Sequence, residues 1–299
     1  MDKSTFKPTP RTKHPDPVIR GDKITGDRYY SKDFMKKEWD HVWTKVWQIA
    51  GIASEIPEPD DFFVYKIGIE EILVVRQKDM TIKAFYNVCP HRGNKLVHVE
   101  KGFLESFKCT YHGWTYNTQG ILTDLQDAED FDDGSPCGKI KLKEVKCEVG
   151  LGFVWINLDD NCQKFEEALY PILDHMKPYQ PEKYIRVLNM TCEVNCNWKI
   201  IHDNFNESYH LPTLHPELSV HIENDYKFSQ FDMYDNGHNR MLIPGHKPAL
   251  GDQSPNEVQF PLDAALIAWD LNPKDFKGRA QESRIAIQKQ KRKLAKNRG

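Results

Sequence analysis

Apolar residues recur with a helical period over residues 31–47, where Phe34, Met35, Val42, Trp43, Val46 and Trp47 share a face. Ser31 can cap that helix and Asp33 suits its first turn. From residue 49 to about 155 the pattern becomes that of strands. Phe62–Ile67, Ile72–Val75, Ile82–Tyr86 and Leu151–Leu158 are short and rich in β-branched or aromatic residues. Pro57, Gly68 and Gln77-Lys78-Asp79 punctuate them, and the acidic stretch 124–134 reads as a solvated loop. Helical spacing returns at 165–176 and stops at Pro178 and Pro181. Residues 184–195 alternate like a further strand. A helix is expected from about Asn197 to Tyr209, ended by Pro212, and 262–298 is helical by pattern. The basic run at its end, Arg284 to Arg298, reads as a solvated face. No internal repeat is visible.

Strands followed by helices predict an α+β protein. The chain has 299 residues, enough for two modest domains. The divisions fall after an N-terminal arm at 1–30 and a β-rich domain at 31–158, leaving a second domain at 159–299. A net charge of −3 gives no basic field for nucleic acid. No apolar run reaches the length of a membrane span. The first residues lack the apolar core of a secretory signal, so the arm reads as flexible. Seven cysteines, an odd number in a long chain, argue against a disulfide framework and for a reducing cytoplasm. Cys192 and Cys196 read as buried thiols rather than ligands.

Two of the other cysteines carry chemistry. Cys89-Pro90-His91 is followed, after seventeen intervening residues, by Cys109-Thr110-Tyr111-His112. Two thiolates and two imidazoles are the ligands of a Rieske [2Fe–2S] cluster, with two Cys on one iron and two His on the other. Imidazoles donate less charge than thiolates, which raises the potential to roughly −150 to +300 mV. Gly93, Gly102 and Gly113 allow tight turns, and Arg92 can place a donor or charge near the sulfurs. The competing reading is a structural zinc site. Zinc fingers usually pair Cys with Cys and His with His, whereas here each half mixes the two.

Further along, Trp198, Ile201, Phe205 and Tyr209 form an apolar stripe on the 197–209 helix. Asp203, Glu207 and His210 fall on the opposite side, and a turn after Pro212 can bring His215 beside His210. Two histidines with a carboxylate and open positions suit a non-haem Fe(II) centre that meets O2. His202 is offset from the stripe and reads as structural.

NVCPHRG, CTYHGWTY, GFVWINLD and NWKIIHDNFNESYHLPTLH together resemble the α, or terminal oxygenase, subunits of Rieske non-haem iron ring-hydroxylating oxygenases. The resemblance covers roughly residues 30–220. It implies a Rieske domain followed by a helix-grip domain with an antiparallel sheet. It implies that Cys89, His91, Cys109 and His112 bind the cluster and that His210 and His215 bind a mononuclear Fe(II). Glu207 matches the carboxylate that bridges the two metals, and Asn204 lies in a segment close to the iron. Glu rather than Asp at 207 resembles the subgroup acting on quaternary amines such as carnitine.

The activity so implied is O2-dependent hydroxylation of an aromatic or other small organic substrate. Electrons would come from NAD(P)H through a reductase, with a ferredoxin where one is used. A homotrimer is implied, without nucleic acid or membrane. The family's third iron ligand is an Asp well over a hundred residues after the second His, but only 84 residues follow His215. Asp225, Asp232, Asp235, Asp252, Asp263 and Asp270 lack the expected context. The helix-grip domain is therefore expected to be incomplete, through C-terminal truncation. Two alternatives stay open: a non-catalytic Rieske electron carrier, and a zinc-stabilised binding module.

Overall fold

The structure, a computed structural model, describes residues 23–186, 188–215, 218, 222, 229–243, 256–259 and 262–296. Residues 1–22 of the expected arm, Val187, Asp225, Asp252 and Arg298 lie outside the described residues.

The chain opens with α1 (Asp27–Tyr30) and α2 (Lys32–Glu38). Ser31 caps α2 as expected, its side chain accepting the Phe34 N–H at 3.3 Å. The helix does not run to 47. It widens into a π-turn at Trp39–Trp43 and gives way to β1 (Gln48–Ile52). Eight strands follow: β2 (Asp61–Ile67), β3 (Glu70–Arg76), β4 (Ile82–Tyr86), β5 (Lys101–Phe103), β6 (Ser106–Lys108), β7 (Thr115–Asn117), β8 (Leu122–Asp124) and β9 (Glu144–Gly150). With β10 (Phe153–Asn157) they form two antiparallel sheets. The larger has the order β1-β10-β9-β4-β3-β2-β5, and the smaller is β6-β7-β8.

Period-two alternation gives the larger sheet a core on each face. Phe62, Leu73, Val75 and Phe85 point into one core, and Phe63, Ile72, Val74 and Ala84 into the other. That is why Ile72–Val75 is a continuous apolar run: its residues are buried on alternate sides. The first core also takes in Cys89, Cys109, Trp114 and Tyr116. Cys89 and Cys109 are therefore embedded in the packing of the sheet.

After β10 the expected helix 165–176 divides into α3 (Phe165–Ala168) and α4 (Ile172–Met176), interrupted at Pro171, which has no N–H to continue the ladder. Short 3₁₀ turns at Pro178 and Pro181 then end it. The strand expected at 184–195 is not formed among the described residues. Ile185 and Met190 are each 79% exposed, and an alternating pattern needs a partner strand to satisfy its backbone.

Helix α5 (Trp198–Phe205) is shorter than the expected 197–209, and α6 (Leu211–Leu214) follows a bend. Pro212 begins α6 rather than ending α5. A proline ring clashes with the carbonyl four residues back, at Ser208, so the upstream helix must stop before it. A hairpin, β11 (Gln230–Met233) with β12 (Asn239–Leu242), is tied by an Arg240–Asp232 ion pair. The helical tail is two helices, α7 (Leu262–Ala268) and α8 (Ala280–Lys296), separated at Pro273. The expected α+β class holds.

By internal contacts the chain divides into two units. One is built on Pro17–His202 with Tyr234–His238, the other on Asp203–Met233 with Asn239–Gly299. Within the first, the start of α5 is anchored on α2. The buried Glu38 carboxylate pairs with Lys199 and accepts Trp198 Nε1 at 3.4 Å. The Lys199 ammonium also lies 5.3 Å from the Phe34 ring and 5.5 Å from that of Tyr29. Sequence periodicity marks Phe34 but carries no sign of this ion pair.

One glycine in this unit has no substitute. Gly152 turns β9 into β10 at φ +79°, and a Cβ there would lie 2.6 Å from the Glu182 backbone. Gly152→Ala is expected to cost about 2–4 kcal/mol, from the left-handed backbone and the overpacking together. Urea unfolding measures it, and a loss below about 0.5 kcal/mol would show that the contact yields freely.

Candidate metal centres

The two ligand loops share one backbone plan. The Cys89 N–H donates to the Asn94 carbonyl at 2.8 Å, and the Gly93 N–H returns to the Cys89 carbonyl at 2.9 Å. In the second loop Cys109 N–H donates to Trp114 at 2.8 Å and Gly113 N–H to Cys109 at 3.0 Å. Gly93 and Gly113 close these turns at φ +73° and +74°, where other residues are strained. Gly102 makes no such turn. It sits in β5, facing Phe62. The histidine comes at the third position of one loop and the fourth of the other, so equal turns present unequal spacing in sequence.

The first loop is fastened to the sheet by Asn87, which is buried. Its Nδ2 donates to the Val97 carbonyl at 2.8 Å, and its Oδ1 accepts the Val97 N–H at 2.9 Å. Glu71 on β3 also accepts from Asn87 at 3.2 Å and pairs with Lys95 at 2.7 Å. The Lys95 hydrogen bond and charge hold the Glu71 carboxyl below its ordinary value. Asn87→Leu strands the Val97 N–H and C=O, each costing about 1–3 kcal/mol when buried. The variant is expected to lose about 2–4 kcal/mol by denaturant titration. An unchanged midpoint would show that the loop is held elsewhere.

The four expected ligands come together as two pairs, Cys89 with Cys109 and His91 with His112. Cys89 and Cys109 are almost fully buried, at 1% and 3% exposure. The His91 and His112 rings stand 4.7 Å apart. Trp114 stacks on His91 at 4.7 Å, and Tyr111 lies 3.8 Å from His112. Burial pushes the Cys89 thiol up. Burial also opposes the Cys109 thiolate, but donors from the Tyr111 and His112 backbone and from Asn94 outweigh it and hold the thiol low. Desolvation and the neighbouring His91 and Arg92 charges keep His112 below its ordinary value.

His112 Nδ1 is buried without a hydrogen-bond partner. A buried orphan nitrogen on a neutral imidazole is what a metal ligand requires. Among the described residues, no three His, Cys, Asp or Glu converge on one ion. A tetrahedral zinc needs four donors on one point, whereas a Rieske cluster asks for two protein ligands per iron. The donor set fits the cluster.

Arg92 is not the donor to sulfur. Its guanidinium lies over the Tyr111 ring at 5.6 Å. The side-chain donors are Tyr116, 3.3 Å from Cys89 Sγ, and Asn94, 3.6 Å from Cys109 Sγ. The sequence reading missed both as donors, because Tyr116 reads there as an ordinary strand aromatic.

In the second unit, Glu207 lies in the bend between α5 and α6 rather than on a helix face with Asp203. Its carboxylate takes His210 Nδ1, the His210 N–H at 3.2 Å and the Tyr209 N–H. Desolvation pushes Glu207 up, but these donors outweigh it and leave the carboxyl below its ordinary range. With Nδ1 donating, His210 Nε2 keeps the free lone pair of a metal ligand. The His215 ring lies 5.5 Å from that of His210. Asn204 is exposed on α5. His202 packs edge-on against Trp198, with centroids 6.0 Å apart. Two imidazoles suit a mononuclear iron. Asp232 is engaged by Arg240, and no third ligand stands with the pair among the described residues.

The stripe residues Phe205 and Tyr209 are 73% and 86% exposed, so the stripe does not face a core. Cys192 and Cys196 are exposed as well, not buried as expected. A cavity of about 640 Å³, lined by Trp47, Cys147, Cys162 and Phe165 among others, shares no residue with either metal centre.

Residues 46–134 match the Rieske [2Fe–2S] domain family, and residues 181–276 the ring hydroxylating alpha subunit catalytic domain family. The chain belongs to the Rieske ring-hydroxylating oxygenase alpha-subunit family. It is 30% identical to the glycine betaine monooxygenase oxygenase subunit of Pseudomonas aeruginosa, over 68% of this chain and 50% of that protein. It is 32% identical to the carnitine monooxygenase oxygenase subunit of Escherichia coli K12, over 66% of this chain and 53% of that one. A quaternary ammonium Rieske monooxygenase solved with L-carnitine superposes with a TM-score of 0.64 and 27% identity, covering 73% of this chain and 61% of the other. The chain spans about half the length of the curated relatives it matches. The two family domains imply a Rieske cluster and a mononuclear iron. No described helix is long and apolar enough to cross a membrane.

Proposed function

We propose that the chain is the electron-accepting and iron-binding part of an oxygenase acting on a quaternary ammonium compound of the carnitine or betaine type. The observation that carries this reading is the pair of donor sets, Cys89/His91/Cys109/His112 and His210/His215, with Glu207 locked onto His210. The quaternary ammonium class is supported by Glu at position 207 and by the named activities of the similar monooxygenases.

When bound, the cluster would supply single electrons and the mononuclear iron would supply O2 activation. The chain's own residues set up that exchange. Backbone donors and Asn94 favour the charged form of Cys109, and Trp114 and Tyr111 pack on the two cluster imidazoles. Glu207 holds the Nδ1 proton of His210, which would leave Nε2, with raised basicity, to hold the iron. In the assembled enzyme Glu207 would couple the two metals. Asn204, exposed on the helix that leads into the bend, is the residue that would stand close to the iron in this reading. The proposed domain limits are 31–158 for the cluster and 159–299 for the iron, in a homotrimer fed by a reductase, with or without a ferredoxin.

The second reading is an electron carrier without its own oxygenase chemistry. It is favoured by the lack of a third iron ligand among the described residues. Metal analysis separates the two. The oxygenase reading expects about three iron and about two sulfide per chain, with reductase- and O2-dependent consumption of carnitine or glycine betaine. About two iron, about two sulfide and no product would leave the carrier.

A further inference from the structure

We propose that Asn94 is a positioning residue that sets the reduction potential of the cluster, through a hydrogen bond from its amide to Cys109 Sγ across the two ligand loops. The inference rests on the cluster reading above and goes beyond it to a residue that no ligand motif contains.

Asn94 belongs to the first loop, and its carbonyl closes that loop by accepting the Cys89 N–H at 2.8 Å. Its side chain leaves the loop. Nδ2 lies 3.6 Å from Cys109 Sγ and 3.3 Å from Thr110 Oγ1 in the second loop, and 3.0 Å from the Lys95 carbonyl. A contact of 3.6 Å is long for oxygen but suits the larger sulfur atom. The amide has two hydrogens for three acceptors, so one is shared. Strand β7, which follows the second loop, returns the exchange through Tyr116, whose hydroxyl lies 3.3 Å from Cys89 Sγ. Each cysteine therefore has one side-chain hydrogen-bond partner from the other cysteine's segment.

Both cysteines belong to the same iron of a Rieske cluster. A donor to thiolate sulfur withdraws negative charge from that iron and favours the reduced, more negative cluster. Tyr116 is fully buried and locked in the core, whereas Asn94 is half-buried at the rim of the site. Asn94 is thus the donor that substitution can alter with the least disturbance of packing.

The test compares wild type with Asn94→Leu and Asn94→Asp, all loaded with cluster. Iron and sulfide per chain are measured first, then the midpoint potential by redox titration followed by EPR. Asn94→Leu removes the donor. It is expected to shift the equilibrium about tenfold toward the oxidised cluster, which is 59 mV for a one-electron couple. Asn94→Asp replaces the donor with a charge of the same shape and is expected to lower the potential further. Thr110→Val removes a competing acceptor and is expected to leave the potential equal or higher. Full cluster content with an unchanged potential in both Asn94 variants overturns the proposal and leaves Asn94 as a tie between loops. Failure of both variants to load also overturns it, since the residue would then serve assembly. A wild type without iron and sulfide would instead overturn the cluster reading itself.

Discussion

Cys109→Ser is expected to abolish the visible absorbance and the reduced-state EPR signal of the protein, and to lower its unfolding midpoint. Cys147→Ala is expected to leave both signals in place. The two cysteines differ in surroundings rather than in exposure alone. Cys109 receives backbone donors from Tyr111 and His112, with Asn94 beside its sulfur, so its thiolate is favoured despite burial. Serine at this position keeps the size and loses the chemistry, because a hydroxyl does not ionise in the range where a thiol does. Cys147 lies on β9, where burial, with the charges of Glu148 and Glu144, pushes the thiol up to about 12. It is a packing residue with an inert sulfur. Stability enters because metal binding is folding energy: the two loops lose their shared ligand and retain only their own turns. Iron and sulfide analysis with a thermal melt reads the outcome. A Cys109→Ser protein that kept half or more of its sulfide would remove Cys109 from the ligand set.

How much of this was legible in the sequence depended on the range of the forces involved. The strands β2, β3 and β4 were legible within a residue or two, because alternation in each is set by its own two faces. The two candidate ligand loops were legible because each is short and closed by its own glycine. Tyr116 and Asn94 were not, since their roles arise only when two loops separated in sequence exchange donors. The bend at Glu207 was missed for a different reason. Trp198, Ile201, Phe205 and Tyr209 fit one helical face, but Pro212 acts four residues upstream and forbids the turn that would carry Tyr209. Residues 184–195 show the reverse case. Their alternation is genuine in sequence, yet a strand forms only against a partner, and none pairs with it among the described residues.

That bend gives Glu207 its importance, and Glu207→Gln is expected to keep the cluster spectrum while slowing oxidation of the reduced cluster by about 10–100-fold. On a straight helix Glu207 and His210 would merely be neighbours on one face. In the bend the carboxylate folds back on the His210 ring and on the Tyr209 and His210 amides. Those donors hold the carboxyl below its ordinary range, so it is ionised at neutral pH and the substitution removes a real charge. Glutamine still accepts the Nδ1 hydrogen through its oxygen, but as a neutral acceptor it leaves the imidazole less basic toward a metal. Glu207→Asp keeps the charge on a shorter arm and is expected to recover part of the rate. Single-turnover oxidation of the reduced cluster by O2, followed by EPR with iron content measured in the same sample, separates the outcomes. Slow oxidation with iron retained supports coupling through Glu207. Slow oxidation with the mononuclear iron lost assigns Glu207 to holding His210 in place. Oxidation at the wild-type rate removes it from the electron path, and the charge in the bend then serves only to stop α5 and start α6.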